Sequence, residues 1–306
     1  MQQGPAAGEA VLADGDRRFL LLVAATAGLA TRERLRALLG VPGFGARVRV
    51  ATVATVGDIA RQLRPGEIPV AVGGDGTANQ VARALLDAAT PPVMGLLPLG
   101  TGNALAHAFG VGRVRFALEA LRAGRPRAVD VMLTSHPTAS LALASLSAGF
   151  EGRFLMRYAT LRVRGRMQAG LRSLRAAGGP RGCIVLTADG VELTGSGEHV
   201  FNAGLYNIPC YAGGHTVWPA AEPGDGEAEA VVCTSAAAYW RTLALGLRTD
   251  TPGASGGRRF RRWRKAHLDS AEPIQFDGEW APAGRIDVRL EHGALNILVP
   301  PAAAPA

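Results

Sequence analysis

Lysine is almost missing from this chain of 306 residues: 32 of its 33 basic residues are arginine, and Lys265 stands alone. That shortage excludes chemistry. A Walker-type phosphate loop needs Gly-Lys-Ser/Thr, a protein-kinase-like site needs a strand lysine, and pyridoxal phosphate needs a Schiff-base lysine. Lys265, between Arg264 and Ala266, sits in none of those contexts. Any phosphate here must be held by backbone N–H groups, arginine or metal. Cysteine is scarce too: Cys183, Cys210 and Cys233 are far apart, odd in number and without metal-ligand spacing, which fits a reducing compartment. A membrane-length apolar run is also lacking. "RRFLLLVAATAGLA" resembles a signal sequence, but Asp14 and Asp16 precede it and its apolar part, Phe19 to Ala30, is too short to span a bilayer. A buried first strand followed by a helix in "TRERLRALLG" explains the same residues, so a cytoplasmic protein is expected.

What is present suffices for a full core: hydrophobic residues make up 48% and mean hydropathy is +0.13, so one large domain or two is expected. Short apolar runs alternate with helical segments in the first third. "FLLLVAA", "RVRVATV", "IPVAVGG" and "VMGLLPLG" read as strands. "VGDIARQLRP", "ANQVARALLDAA" and "NALAHAFG" read as helices, with Val81, Ala84 and Leu85 on one face. Repetition of strand and helix predicts a mostly parallel sheet covered on both faces, with ligands at the carboxyl ends of its strands. From Ala128 the rhythm changes. "AVDVML", "SLALASLSAG", "GCIVLTADGVELTG" and "RIDVRLEHGALNILVP" are β-rich runs with turn-like pairs at Asp189-Gly190 and His292-Gly293, interrupted by an arginine-rich helical stretch over 153–177.

Two loops carry the chemistry. In "VGGDGTAN", Gly73, Gly74 and Gly76 permit close backbone approach and positive φ, and the helix starting near Ala78 aims free N–H groups at an anion. Asp75 would repel a bare phosphate. It makes sense with magnesium, with an arginine, or as the acceptor of a proton from an attacking hydroxyl; a helix-capping Asp in a tight turn is the plain structural alternative. "LPLGTGNALAHAFG" then repeats the arrangement of strand, glycine turn and helix, with Thr101 and Asn103 in the turn.

Together, "GGDGTANQVARALL" and "LPLGTGNALAHAFG" resemble the catalytic-domain signature of the diacylglycerol kinase and sphingosine kinase superfamily. Weaker pieces follow in the family's order: Val129 to Val131, "SLSAGFEG", "YNIPCYAGGHTVWPAAEPGDGEAEAVV", "IQFDGEW" and "GALNILVP". The resemblance implies an α/β plus all-β protein. Its N-terminal three-layer α/β domain, 18–128, has a mostly parallel sheet and is completed by the tail at 292–304. A β-sandwich-like lipid-substrate domain follows at 129–291, with the active site in the cleft between them. The implied activity is ATP-dependent transfer of a γ-phosphoryl group to a lipid hydroxyl, diacylglycerol or sphingoid-type, within lipid metabolism. On that pattern Gly73, Gly74, Gly76, Thr77, Gly100, Thr101, Gly102 and Asn103 bind ATP. Asp75 and Glu279 are the catalytic carboxylates, either of which could accept the lipid proton. Asp225, in "PGDGE", and Asp277 are magnesium candidates. Phosphoryl transfer asks mainly for positioning and charge neutralisation, so no lysine is required.

The pattern also has departures. Ala24 and Ala25 stand where the family has Asn-Pro, which opens a second reading as a lipid- or nucleotide-binding regulatory protein without turnover. Ala104, in "GNALA", is closer to the sphingosine and ceramide kinase form. NAD kinases and phosphofructokinases share a Gly-Gly-Asp-Gly loop, but the second loop sets this chain apart from them. Charge suggests where substrate is met. The net charge is +8, and "RRFRRWRK" places Arg258, Arg259, Arg261 and Arg262 around Phe260 and Trp263, a combination suited to an anionic membrane surface. Arg153, Arg157, Arg162, Arg164, Arg166, Arg172 and Arg175 form a second basic group. Peripheral membrane association is expected, nucleic acid is disfavoured, and a homodimer stays open.

Overall fold

The alternating runs of the first third fold as parallel β/α units. The computed structural model describes residues 17–40, 47–86, 92–100, 102–161, 166–178, 182–195, 197–211, 214–218, 221–245, 253–255 and 257–301. Contacts divide the chain into two units, one of residues 1–128 with 294–306 and one of residues 129–293.

The first unit contains β1 (Arg18–Ala24), α1 (Leu29–Leu39), β2 (Val48–Val53), α2 (Val56–Gln62), β3 (Glu67–Gly73), α3 (Asp75–Leu86), β4 (Val93–Pro98), α4 (Ala104–Ala108) and α5 (Val114–Ala123). Its strands pair in parallel in the order β2-β1-β3-β4, with Leu21 aligned to Val50 on one side and Val70 on the other. Leu20, Leu21, Leu22, Val70 and Val72 are fully buried, the near-continuous apolar signature of strands covered on both faces. α2 opens with a capping box in which Thr55 and Asp58 satisfy each other's backbone N–H. α3 buries Val81, Ala84 and Leu85 as its periodicity predicts, but begins at Asp75 rather than Ala78. α5 packs on β4 at Gly95, where a Cβ would lie 2.5 Å from Leu121 Cδ2.

The chain then enters β5 (Arg125–Thr134), β6 (Leu141–Ala142), β7 (Ser145–Gly149), α6 (Phe150–Leu161), α7 (Arg166–Ala177), β8 (Ile184–Ala188), β9 (Val191–Glu192) and β10 (Asn202–Tyr206). β11 (Ala228–Cys233), α8 (Ala236–Leu245), β12 (Gly253–Ser255), β13 (Arg258–Trp263), β14 (Lys265–Ser270), β15 (Ile274–Phe276), β16 (Glu279–Ala281) and β17 (Gly284–Val299) complete it. The second unit holds an antiparallel sheet ordered β12-β13-β11-β10-β7-β15-β16 and an antiparallel group in which β14 lies between β17 and β8. Leu146, Leu205 and Val232 of the former share one core with Leu186, Leu268 and Ile286 of the latter, which makes a β-sandwich. The end of β17 returns to the first unit and pairs in parallel with β4 through Asn296 and Ile297. An α/β fold plus a β-rich fold is therefore what the chain adopts.

Two sequence expectations are corrected. Asp189-Gly190 does turn a hairpin, with φ of 45° and 76°, but His292-Gly293 does not. β17 runs straight through that pair, because the fully buried Asp130 accepts from Gly293 N–H at 2.8 Å and lies 2.8 Å from His292 Nδ1, pinning a bend inside one strand. The run 258–263 is not a membrane-facing surface. It is β13, paired to β11 and β12 on its two edges. Phe260 and Trp263 are three residues apart and so point to opposite faces of the strand. Each is buried, at 5% and 1% exposure, in a different core cluster. Arg259 is engaged bidentately by Glu198 at 2.5 and 2.9 Å, and Arg262 lies 3.5–3.9 Å from Asp225, Glu227 and Glu229.

A second buried carboxylate gathers hydroxyl groups. Glu151, in the first turn of α6, accepts from the hydroxyls of Ser147, Tyr206, Tyr211 and Tyr239. Burial first, and then the Glu151 charge, raise all three phenols well above the ordinary tyrosine value, so they stay protonated and donate to Glu151, while Tyr206 also accepts from Asn202 Nδ2 at 3.3 Å.

Glu229 is the opposite case. It faces Arg262 across the β11–β13 ladder, is 2% exposed, and its Oε2 has no hydrogen-bond partner. Burial pushes this carboxyl up to about 8, against the pull of the Arg262 guanidinium. A folded value above the unfolded one means that the stability contributed by the protonated form is complete below about pH 4.5 and is lost as pH rises through about 8. Glu229→Gln keeps the neutral form throughout. Urea unfolding should match wild type at about pH 4 and be more stable by a few kcal/mol at about pH 9, because each tenfold change in a protonation equilibrium is worth about 1.4 kcal/mol. Parallel stability curves for the two proteins up to pH 9 would contradict this assignment.

Candidate functional site

The two glycine loops of the first unit meet at their backbones. A Cβ on Gly100 would fall 2.5 Å from both Cα and N of Gly74, and one on Gly73, whose φ is +156°, would fall 2.6 Å from Thr77 Oγ1. Only glycine permits this approach. Gly74 starts α3 by accepting the N–H groups of Thr77 and Ala78, each at 3.1 Å, so the first amides of that helix, including Gly76, lie in the same place. Gly73, Gly74, Asp75 and Asn103, with Leu97 and Ala106, line one recess. The structure thus brings Gly73, Gly74, Asp75, Gly76, Thr77, Gly100 and Asn103 together, with Gly102 next in chain to Asn103. Thr101 lies outside the described residues.

Asp75 answers the question raised by a carboxylate in a phosphate-like loop. Its Oδ2 accepts from Ala104 N–H at 3.1 Å and its Oδ1 from Leu105 N–H at 2.9 Å. It caps α4, the helix of the other loop, across 29 residues of chain. α4 needs this outside acceptor, because its own N-cap residue, Asn103, sits in the left-handed region at φ 52° and makes no capping bond. Asn103 instead donates through Nδ2 to Gly100 O at 3.0 Å, closing its own loop. That leaves its Oδ1 buried with no hydrogen-bond partner. A buried acceptor without a donor, beside a cradle too tight for any Cβ, suits a bound group that supplies donors or a cation.

Two residues that the sequence did not single out, Thr31 and Arg32, also belong to this region. Thr31 donates through Oγ1 to Leu99 O at 3.2 Å, tying the first turn of α1 to the second glycine loop. Arg32 reaches Ala25 O and Ala27 O at 3.0 and 3.1 Å, and so holds the turn after β1 that carries alanines in place of Asn-Pro. A signal was present: both follow Gly28 at the start of a predicted helix.

In the second unit, Asp277 and Gly278 form the turn of the β15–β16 hairpin with φ of 48° and 87°, the geometry of a type I′ turn. Asp277 is not placed as a metal ligand. Its carboxylate accepts three backbone N–H groups, from Leu143 and Ala144 at 2.8 Å and Ser145 at 3.0 Å, which lock the hairpin to the start of β7. Glu279 is the next residue but one. Its carboxylate is exposed and makes no ion pair or hydrogen bond among the described residues, on a turn whose position is fixed. Asp225 caps its own turn by accepting from Glu227 N–H at 3.0 Å and lies 3.8 Å from Arg262. Among the described residues, no group of three or more His, Cys, Asp or Glu could hold a metal ion by itself.

Comparison with known proteins agrees with this organisation. Residues 25–134 match the model of the diacylglycerol kinase catalytic domain. The chain is 28% identical over 255 residues to the probable lipid kinase YegS of Salmonella typhimurium, covering 80% of this chain and 81% of that protein. It is 36% identical over 117 residues to a probable lipid kinase, YegS-like, of Enterobacter sp., covering 36% of this chain and 38% of that one. The crystal structure of a diacylglycerol kinase from Bacillus anthracis superposes with a TM-score of 0.65 at 18% identity, over 94% of this chain and 98% of the other, and shows the common fold.

The bridging role of Asp75 has a direct readout. Asp75→Asn removes the charge and one acceptor, leaving the Ala104 or Leu105 N–H unpaired. A loss of about 1–2 kcal/mol of unfolding free energy is expected, together with faster hydrogen exchange at those two amides. Unchanged protection at both would show that the bridge is not made in solution.

Proposed function

We propose that this chain, which residues 25–134 place in the diacylglycerol kinase and sphingosine kinase superfamily, is an ATP-dependent lipid kinase that phosphorylates the hydroxyl of a diacylglycerol or sphingoid-type lipid. The observation that carries the reading is the contact between Gly74 and Gly100 with the unpartnered Asn103 Oδ1 beside it. Ordinary turns do not need two glycine loops at van der Waals contact. A polyphosphate that must be approached by backbone amides does.

ATP with magnesium would supply the γ-phosphoryl group and neutralise the charge that develops during its transfer. The residues present fit such a group. The glycine backbone of the two loops would hold phosphate, and Asn103 Oδ1 is the acceptor open to a donor or cation. Magnesium in phosphoryl-transfer sites is commonly carried by the substrate phosphates with one or two protein ligands, so a full protein cage is not required. Backbone amides would stand in for the missing lysine.

The two catalytic candidates take different roles. Asp75 has both oxygens committed to α4, which suits a positioning residue that keeps the loops in register. Glu279 carries an uncommitted carboxylate on a hairpin clamped by Asp277, which suits the acceptor of the lipid hydroxyl proton. The non-catalytic reading draws on Ala24 and Ala25, yet Arg32 holds that turn shut without Asn-Pro.

The test is transfer of label from radiolabelled ATP, with magnesium, to a panel of lipid alcohols in mixed micelles. Glu279→Gln should lower kcat by about 10²–10⁴-fold with little change in KM for ATP. Asp75→Ala should impair both parameters. Nucleotide binding without labelling of any acceptor would overturn the kinase reading in favour of a binding protein on this scaffold.

A further inference from the structure

α7 is amphipathic the wrong way round. Among its described side chains the buried ones are Ala169, Ser173 and Ala177, spaced by four residues along one face, while Leu171 and Leu174 stand 60% and 40% exposed beside the exposed Arg172 and Arg175. A helix that only covers a core buries its large apolar side chains and shows its small ones. Here the small stripe packs inward and the leucines are left in water. The helix is not loosely held. Arg153, itself buried on α6, donates from Nε to Ala177 O at 2.8 Å and pairs with Glu272 at 2.7 Å, anchoring the end of α7.

Charge says what covers this face. From Gly152 to Ala188 the chain has eight arginines and no aspartate or glutamate. Within it Arg153 is matched by Glu272, as Arg259 is by Glu198 and Arg49 by Glu67 elsewhere, but Arg172 and Arg175 are in no ion pair among the described residues. An acid-free arginine segment around exposed leucines complements an apolar surface with a negative rim. A second copy of the chain would bring the same positive charge to the contact, and a nucleic acid would leave the leucines without a partner.

We infer that the outer face of α7 docks onto an anionic phospholipid bilayer, with Leu171 and Leu174 entering the acyl boundary while Arg172 and Arg175 stay at the headgroups. The inference deepens the lipid-kinase proposal and rests on it for the reason a bilayer is met. It also relocates the membrane contact from β13, which the core consumes, to a helix whose apolar residues are free.

Flotation of the full chain with vesicles of phosphatidylcholine alone, and of phosphatidylcholine with phosphatidylglycerol, tests it. Wild type should float with the mixed vesicles, and less so as salt is raised. Arg172→Gln with Arg175→Gln should lower partitioning by about 30-fold, from roughly one cation's contribution each. Leu171→Ser with Leu174→Ser should lower it by about tenfold or more. Micellar phosphoryl transfer, measured in parallel, should survive in both variants. Wild-type flotation by the leucine variant, or no flotation by wild type on either vesicle, overturns the docking face while leaving the kinase reading standing. A concentration-dependent dimer that the leucine substitutions dissolve, without vesicle binding, overturns it in favour of self-association. Vesicle binding that depends on the leucines in a chain with no micellar transfer supports the docking face and sinks the kinase reading instead.

Discussion

The first unit is arranged around one bridge, from the Asp75 carboxylate to the amides of Ala104 and Leu105. Its importance comes from what it replaces. α4 has five residues, and a helix that short has little propensity to form by itself. Its N-cap residue is turned into the left-handed region so that Asn103 can close the second loop. The helix start must therefore be satisfied from outside, and the acceptor that does so is planted in the first turn of α3. This binds the two loops into one object. Gly74 can then touch Gly100, and Gly73, Gly74, Asp75 and Asn103 line one recess.

The same device recurs in the second unit. Asp277 accepts three amides of residues 143–145, Asp130 accepts those of Gly226 and Gly293, and Glu151 collects hydroxyls from three separate elements. Many other carboxylates pair with arginine, as Glu67, Glu198 and Glu272 do, but these three are spent mainly on backbone and hydroxyl donors. A carboxylate offers two oxygens with fixed separation, so it can satisfy neighbouring N–H groups that no side chain of its own segment reaches. The outcome is a set of turns held in place without disulfides and without a metal cage. Glu279 is informative because it departs from this habit, on a turn that Asp277 has already fixed.

Much of this was legible in the sequence, and the failures have physical causes. Parallel strands announce themselves because both faces are buried, so "FLLLVAA" and "IPVAVGG" mapped directly onto β1 and β3. The glycine loops were visible because only glycine tolerates the required approach. What could not be read was long-range pairing. Nothing near Asp75 says that its partners are 29 and 30 residues away, and nothing near Asp277 points to Leu143. His292-Gly293 looks like a turn locally, and only Asp130 makes it a bend within β17. Thr31 and Arg32 were overlooked because their partners are backbone carbonyls, so that only their place after Gly28 at a helix start pointed to them.

The arginine content explains why charge by itself misled. In a chain where lysine is nearly absent, every role that a cation can fill falls to arginine, so a run such as Arg258–Trp263 carries no information about its surroundings until burial is known. Its interleaved aromatics argue for a membrane only if they are exposed. They point to opposite faces of a strand paired on both edges, and two cores consume them. On α7 the same two residue classes are sorted differently: small residues inward, leucines outward, and no acid nearby in sequence to neutralise the arginines. Both segments combine arginine with apolar residues. What distinguishes them is whether the apolar side chains found partners within the fold, and a surface that keeps its leucines in water while excluding acids is one that the fold itself has left to be completed from outside.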